Sequence, residues 1–400
     1  MLATPRFGRG GLPPLWLLVL ATASGTLSLH ILVPALPLAA RDLGVPEAAI
    51  QQTITQYAIG LAIGQLIYGP LSDRFGRRPI LLGGLALYTV GSVAAWLAPN
   101  VWVLIAARVL QALGGCSGMV LGRAILRDVA EPAEAAARLA ILILVVALGP
   151  ALAPLVGSML AVTWGWRSIL ALTALIGGVT ALAALLLLPE THRTRGSGSS
   201  GLLRGYVALL RNPSFLGYAV GGACTTTSFY AYITASPFIF VDMLHRPVTE
   251  AGASYMVVFG GVTLGAFLGN RLMRRVAPIP LMMAGSTVAI LGSALFFAAA
   301  VSGLLNVATV LGPMLVTTVG FGIASALAPT GAISSAPDAI GTASGLYGFL
   351  QMAIGALCTI LVGLWPADHA VAASSVMLIA MLLGRVALAA AARRGFGTPS

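Results

Sequence analysis

Four residues before a proline, inside a long apolar run, stands a histidine. All eleven acidic residues fall in loops or at expected helix ends, so His30 is the only side chain deep in such a run whose charge can change near neutral pH. Thr22, Thr26 and His30 recur at i, i+4 and i+8, a polar stripe on one face of an apolar helix. Pro34 takes the usual helical partner from the His30 carbonyl, so a free acceptor is expected beside the ring. A group that takes up and releases a proton fits this setting; a satisfied structural histidine is the other reading.

A second charge lies inside a later apolar run, in Arg108-Val109-Leu110-Gln111. A buried cation is costly unless it pairs or lines a water-filled cavity, and Gln111 at i+3 shares its face. Snorkelling to the outer surface is the alternative for Arg108. Tyr57, Phe229, Tyr230 and Tyr232 can wall an apolar binding site or pack between helices. With Thr22, Thr26 and Gln111 they make up the expected substrate cavity. Two cations and no buried carboxylate there would disfavour purely cationic ligands.

A third cluster runs from Gly69 to Pro79 and packs Asp73, Arg74, Arg77 and Arg78 into a tight turn between two apolar runs. Gly76 permits the turn, and Pro79 can open the next helix.

The chain that must position these groups is 58% hydrophobic and 8% charged over 400 residues, with mean hydropathy +0.97. Soluble domains are about one quarter charged, so this is a polytopic membrane protein. All 22 basic residues are Arg, and the net charge is +11. The Arg are dispersed, with no basic stripe interleaved by aromatics, which argues against a nucleic-acid partner. Contact with anionic lipid and membrane orientation account for them better. Cys116, Cys224 and Cys358 stand singly, and no metal or cofactor is expected.

Apolar runs of about 20 residues, the length that spans a bilayer, lie near 14–38, 50–70, 80–98, 101–122, 136–161 and 167–189. Six more lie near 214–240, 251–270, 279–300, 304–330, 340–365 and 370–391. The Gly/Ser-rich segment Thr191 to Gly201 reads as a flexible linker. The expected fold is all-α and integral to the membrane: an N-terminal six-helix bundle over 1–190, a cytoplasmic linker over 191–212 and a C-terminal six-helix bundle over 213–400.

Arg6, Arg9, the run Leu15 to Leu20 and Ala21-Thr22-Ala23 also resemble a signal peptide. The run continues to Leu38, however, and its removal would invert every loop. With both termini inside, 17 Arg lie in or beside cytoplasmic segments, and only Arg41, Arg167 and Arg246 lie outside. The halves also echo one another: Gly60 to Gly69 recurs 200 residues later as Gly260 to Gly269, followed by Arg274 and Arg275. Such repeats place a binding site between them near the midplane.

Gly69, Asp73, Arg74, Gly76, Arg77 and Arg78, placed after the second of twelve spans, resemble the loop signature of the major facilitator superfamily. That resemblance implies a conformational gate in which Asp73 faces the helix starting near Gly341 and Arg77 reaches Asp128. Arg108 to Gly118 resembles the family's fourth-helix motif, whose Arg is associated with proton transfer. Gly149, Pro150, Pro154 and Gly157 resemble the antiporter motif of its exporters, although Ala153 and Ser158 replace two of the usual glycines. With Trp164 to Arg167, Pro189 to Thr191, Ser236 to Phe238 and Gly341 to Gly345, the resemblance covers nearly the whole chain. It is closest to the drug:proton antiporter branch of bicyclomycin and chloramphenicol exporters, the Bcr/CflA type. Related exporters usually carry an acidic residue where this chain has His30.

The resemblance implies a monomeric, multi-pass protein of the bacterial inner membrane. It would exchange neutral, zwitterionic or weakly acidic amphiphiles for protons by alternating access, with His30 and Arg108 in proton coupling. Export of an endogenous metabolite or sugar, and a non-transporting membrane sensor, are the alternatives. No nucleophile with a nearby base and no clustered carboxylates point to an enzyme.

Overall fold

The structure, a computed structural model, describes residues 13–129, 131–191, 202–325, 327–336, 340–365 and 368–393. The linker residues 192–201 and the basic residues Arg6 and Arg9 lie outside this set. No strand occurs among the described residues.

The first span comprises Leu15–Ile31, a 3-10 turn at Val33–Ala35 and Leu36–Leu43. Glu47–Phe75, Arg77–Trp96, Val101–Val129, Pro132–Trp164 and Arg167–Leu187 form the second to sixth. The seventh is made of Pro213–Thr227, Phe229–Phe238 and a wider π-turn at Ile239–Met243. Val248–Leu272, Pro278–Val301, Val307–Ser325 with Leu327–Ser334, Ile340–Gly363 and His369–Ala392 complete the twelve.

Among the described residues, ten helices are long and apolar enough to cross a membrane. The second and seventh spans fall outside that group for different reasons. Glu47–Phe75 has the length but begins with Gln51, Gln52, Thr53, Thr55 and Gln56. The seventh is divided after the polar run Thr225-Thr226-Thr227. Both are sheltered by neighbours: the second packs on the fourth and eleventh, and the seventh on the eleventh and twelfth. The expected linker also differs, because Leu202–Arg211 is a helix.

Close helix approach follows from small residues, because a missing side chain lets one backbone touch another in an apolar medium. A Cβ on Gly118 would lie 1.8 Å from the Ala21 carbonyl oxygen, and one on Gly157 would lie 1.9 Å from that of Ile31. These contacts seat the first span against the fourth and fifth.

The same contacts correct the register of the repeat. Gly60 packs on Ala112 and Val109, whereas Gly260 faces open space and Gly261 packs on Thr318 and Leu315. Gly64 meets Cys116, as Gly265 meets Gly322; Gly84 and Gly91 correspond in the same way to Gly285 and Gly292. Spans two and three therefore recur after 201 residues rather than 200. The fourth recurs in the tenth after 206, which places Met314 at the position equivalent to Arg108. The glycine-rich text matched best at 200, but the buried face lies one residue further along.

Substituting Gly118 with Val should lower detergent-phase stability by about 1–3 kcal/mol, the usual cost of overpacking a filled interface. Gly260→Ala, which has open space, should stay within about 0.5 kcal/mol. Thermal unfolding midpoints of the purified variants check the contrast, and equal midpoints would refute it.

Candidate functional site

His30 is buried in the first span, with Nδ1 2.8 Å from the Thr26 carbonyl oxygen. A carbonyl can only accept, so Nδ1 donates and Nε2 is left as the basic nitrogen. The His30 carbonyl is not free as expected: at the turn before Pro34 the Leu32 N–H is directed at it. The ring packs 6.3 Å from Tyr230 and 5.9 Å, edge-on, from Phe259. Phe229 adds an edge contact to Phe259 at 5.4 Å and a stack on Tyr232 at 5.9 Å. Tyr255, Phe296 and Phe321 extend the cluster. The ring of His30 thus faces the second half of the chain through aromatic surface.

Of the aromatic residues expected at the site, Phe229, Tyr230 and Tyr232 meet there, whereas Tyr57 does not. Tyr57 donates to the Gly25 carbonyl at 2.9 Å and presents its face to Arg108, whose guanidinium carbon lies 4.1 Å from the ring centroid. Arg108 is fully buried and donates to Gln111 Oε1 at 2.5 Å. Gln111 in turn donates to Ser92 and Thr173, so its amide ties three spans together rather than facing a cavity. Among the described residues no carboxylate touches Arg108; the tyrosine face and the amide oxygen hold the charge, and Nε and Nη2 have no partner there. Neither hydrogen bond nor ring contact joins His30 to Arg108. The two expected coupling groups are enclosed by different side chains, one facing the second half and one inside the first.

The threonine stripe also separates. Thr22 donates to the Gly118 carbonyl at 3.2 Å and Thr26 to Ala23 at 3.2 Å, so both hydroxyls are spent on backbone. Phe259, Tyr255, Phe296 and Phe321 were missed because aromatic residues scattered over three spans carry no spacing signal.

The Arg-rich loop forms a compact ion cluster. Arg77 donates to Ser72 at 2.6 Å, to Asp73 at 2.5 Å and to Asp128 at 2.9 Å. Gly76 turns with φ +97°, and Glu190 fills the space beside it, accepting from the Arg77 and Arg78 backbone N–H groups. A carboxylate on these free N–H groups caps the third span. Arg78 donates to the Leu185 carbonyl, and Arg74 lies over the Phe75 ring. Asp73, Gly69 and Gly341 line one cavity of about 590 Å³ at this end.

At the opposite end the halves are clasped by pairs that the sequence did not single out. Arg41 of the first span holds Asp242 of the seventh at 2.5 Å, and Glu47 of the second holds His369 of the twelfth. Arg41 stands out in sequence only as an exception to the charge asymmetry. The fifth span runs as one helix through Pro150 and Pro154. Gly149 lies near Thr26, and Gly252 of the eighth span approaches Ser158 and the Pro154 carbonyl.

Two half-repeats joined by clasps at one end, with a cavity at the other and a titratable ring between them, define a multi-pass membrane transporter. The sequence profile of the Major Facilitator Superfamily matches residues 18–359, and the chain belongs to that family. It is 32% identical over 341 residues to Multidrug resistance protein D of Escherichia coli (strain K12), covering 84% of this chain and 85% of the relative. Identity to a Chloramphenicol resistance protein of Pseudomonas aeruginosa is 31% over 353 residues, 86% of this chain and 82% of the other. A Bicyclomycin resistance protein homolog of Haemophilus influenzae is 26% identical over 343 residues, 83% of this chain and 84% of the other, and these names agree with the branch that the motifs resemble. The fold matches a crystal structure of the peptide transporter POT with TM-score 0.78 at 16% identity, covering 98% of this chain and 97% of that one.

Arg77 is nearly buried, and its two acids differ in exposure: the Asp128 side chain is 23% exposed and that of Asp73 56%. Asp128→Asn should therefore cost about 1–3 kcal/mol, and Asp73→Asn no more than about 1 kcal/mol. Thermal unfolding of the two variants measures the difference; the reverse order would contradict the burial argument.

Proposed function

We propose that the protein exports small amphiphilic drugs, neutral, zwitterionic or weakly acidic, across the bacterial inner membrane in exchange for protons. The observation that supports this most is His30, a lone titratable ring held against an aromatic cluster where the two halves meet. Both termini and the Arg-rich loop lie in the cytoplasm in this reading, and one monomer surrounded by lipid is the working unit. The bundles 1–190 and 213–400 rock against each other. The Arg41–Asp242 and Glu47–His369 clasps close the outer side while the cavity at the Arg-rich end admits substrate. Arg77, Asp73 and Asp128 with Gly69, Gly76, Arg74 and Arg78 hold one of the two states.

In the proposed cycle, drug occupies the aromatic cluster while His30 is neutral. Opening outward lets a proton reach Nε2, and the imidazolium then disfavours the apolar ligand beside it. The drug leaves, the carrier reopens inward, and the proton is released. Because imidazole exchanges between neutral and positive, this carrier offers a cationic drug no counter-charge in the loaded state, unlike one built on a carboxylate. Arg108 contributes a fixed positive charge within the first half rather than a direct contact to His30. The names of the relatives favour drugs over metabolites or sugars, and no observation favours a sensor.

In everted vesicles with an imposed pH gradient, drug-driven proton movement should fall at least about tenfold in His30→Ala, a loss of about 1.4 kcal/mol of coupling. Unchanged proton movement would remove His30 as the carrier. His30→Asp should restore coupling and admit cationic drugs.

A further inference from the structure

Arg123 and Arg127 lie one helical turn apart on the fourth span, and both line the cavity of about 590 Å³ at the Arg-rich end. Both are exposed, and among the described residues neither has an ion-pair or hydrogen-bond partner. Asp73 and Asp128 of the same mouth are both bound to Arg77, and the charged side chains lining the cavity, three Arg and two Asp, leave one net positive charge on the side of Arg123 and Arg127. Across the cavity stand Thr342 and Ser344 in the first turns of the eleventh span. The N-terminal N–H groups of that helix add positive potential on the same side. Tyr206 and Gln65 complete the polar wall. Deeper, Met119 and Val120 give the cavity an apolar floor, and the Met119 sulfur lies against Gly25 of the first span.

We propose that this cavity is an entry subsite for the anionic head of an amphiphile: a carboxylate or phosphate seated between Arg123 and Arg127, its apolar body along Met119 and Val120. The proposal rests on the exporter reading and narrows it to acidic amphiphiles as the species captured first. Two guanidinium groups with free N–H donors match the oxygens of such a head, and charge-assisted bonds of this kind are among the stronger ones. Charges that served orientation alone would need no common cavity and no apolar floor beneath them. The head can belong to a soluble substrate or to an anionic phospholipid.

The test is equilibrium binding to the full-length protein in an uncharged detergent, using naphthylacetate and its uncharged amide, naphthylacetamide. The acid should bind on the order of tenfold more tightly than the amide at low salt, and the difference should shrink as salt screens the charges. Arg123→Gln with Arg127→Gln should abolish the preference while sparing amide binding; Arg123→Lys with Arg127→Lys should keep it and shows that the fold survives change at these sites. In nanodiscs, displacement of naphthylacetate by phosphatidylglycerol identifies a lipid head as an occupant, and no displacement identifies the soluble acid. Equal binding of acid and amide, binding of neither, or a preference that survives the double Gln variant would overturn the proposal. A retained preference in a protein that moves no protons with drug would instead defeat the exporter reading alone.

Discussion

Backbone touching backbone is the contact on which this molecule depends. In an apolar solvent, helices gain little by burying leucine, since the lipid is as apolar as the neighbour. What draws spans together is fit, and here fit means a glycine under a carbonyl: Gly118 under Ala21, Gly157 under Ile31, Gly265 under Val319. Close approaches of this kind join the second and third spans to the fourth, and the eighth and ninth to the tenth, at equivalent positions of the two halves. They also decide where the functional side chains point, because Thr22 is committed to the fourth span by the approach that Gly118 permits.

Charge is distributed under a stricter rule. Every acid among the described residues lies near a helix end or in a loop, where water or a basic partner can meet it. Two basic side chains are the exceptions within the first half, and each is accommodated differently. Arg108 keeps a fixed charge by resting on the Tyr57 ring and one amide oxygen. His30 donates from Nδ1 to its own helix, which fixes the tautomer of the neutral ring and leaves Nε2 as the basic nitrogen. The equivalent position in the second half carries Met314, so the buried cation belongs to one side of the pseudo-symmetric pair, and the halves contribute unequally to any ligand between them.

Much of this was legible in the sequence. The span boundaries fall within five residues of the hydropathy runs except at the end of the fourth, which continues to Val129 rather than 122, and the Arg77 to Asp128 contact follows from the loop signature. The rest was hidden for identifiable reasons. A stripe such as Thr22, Thr26 and His30 reports a common face but not whether each hydroxyl is already bonded to backbone. The ring contacts of Phe259, Tyr255 and Phe296 arise from spans brought together by packing. The clasps Arg41–Asp242 and Glu47–His369 join residues hundreds of positions apart, and neither side carries a motif. Glu190 looked like the end of a motif, and proves to cap the helix after Gly76.

The polar second span and the divided seventh bear on how the chain is made. A span that carries polar groups or a break in its helix is enclosed in the bilayer by neighbours that offer those groups partners. For Glu47–Phe75 the earliest such partner in synthesis is the first span, and the fourth and eleventh arrive later. The seventh opens the second half and must wait for the eleventh and twelfth before its broken middle is enclosed. Each of these two spans therefore depends for its enclosure on helices that follow it in the chain, and for the second span one of those helices belongs to the other half.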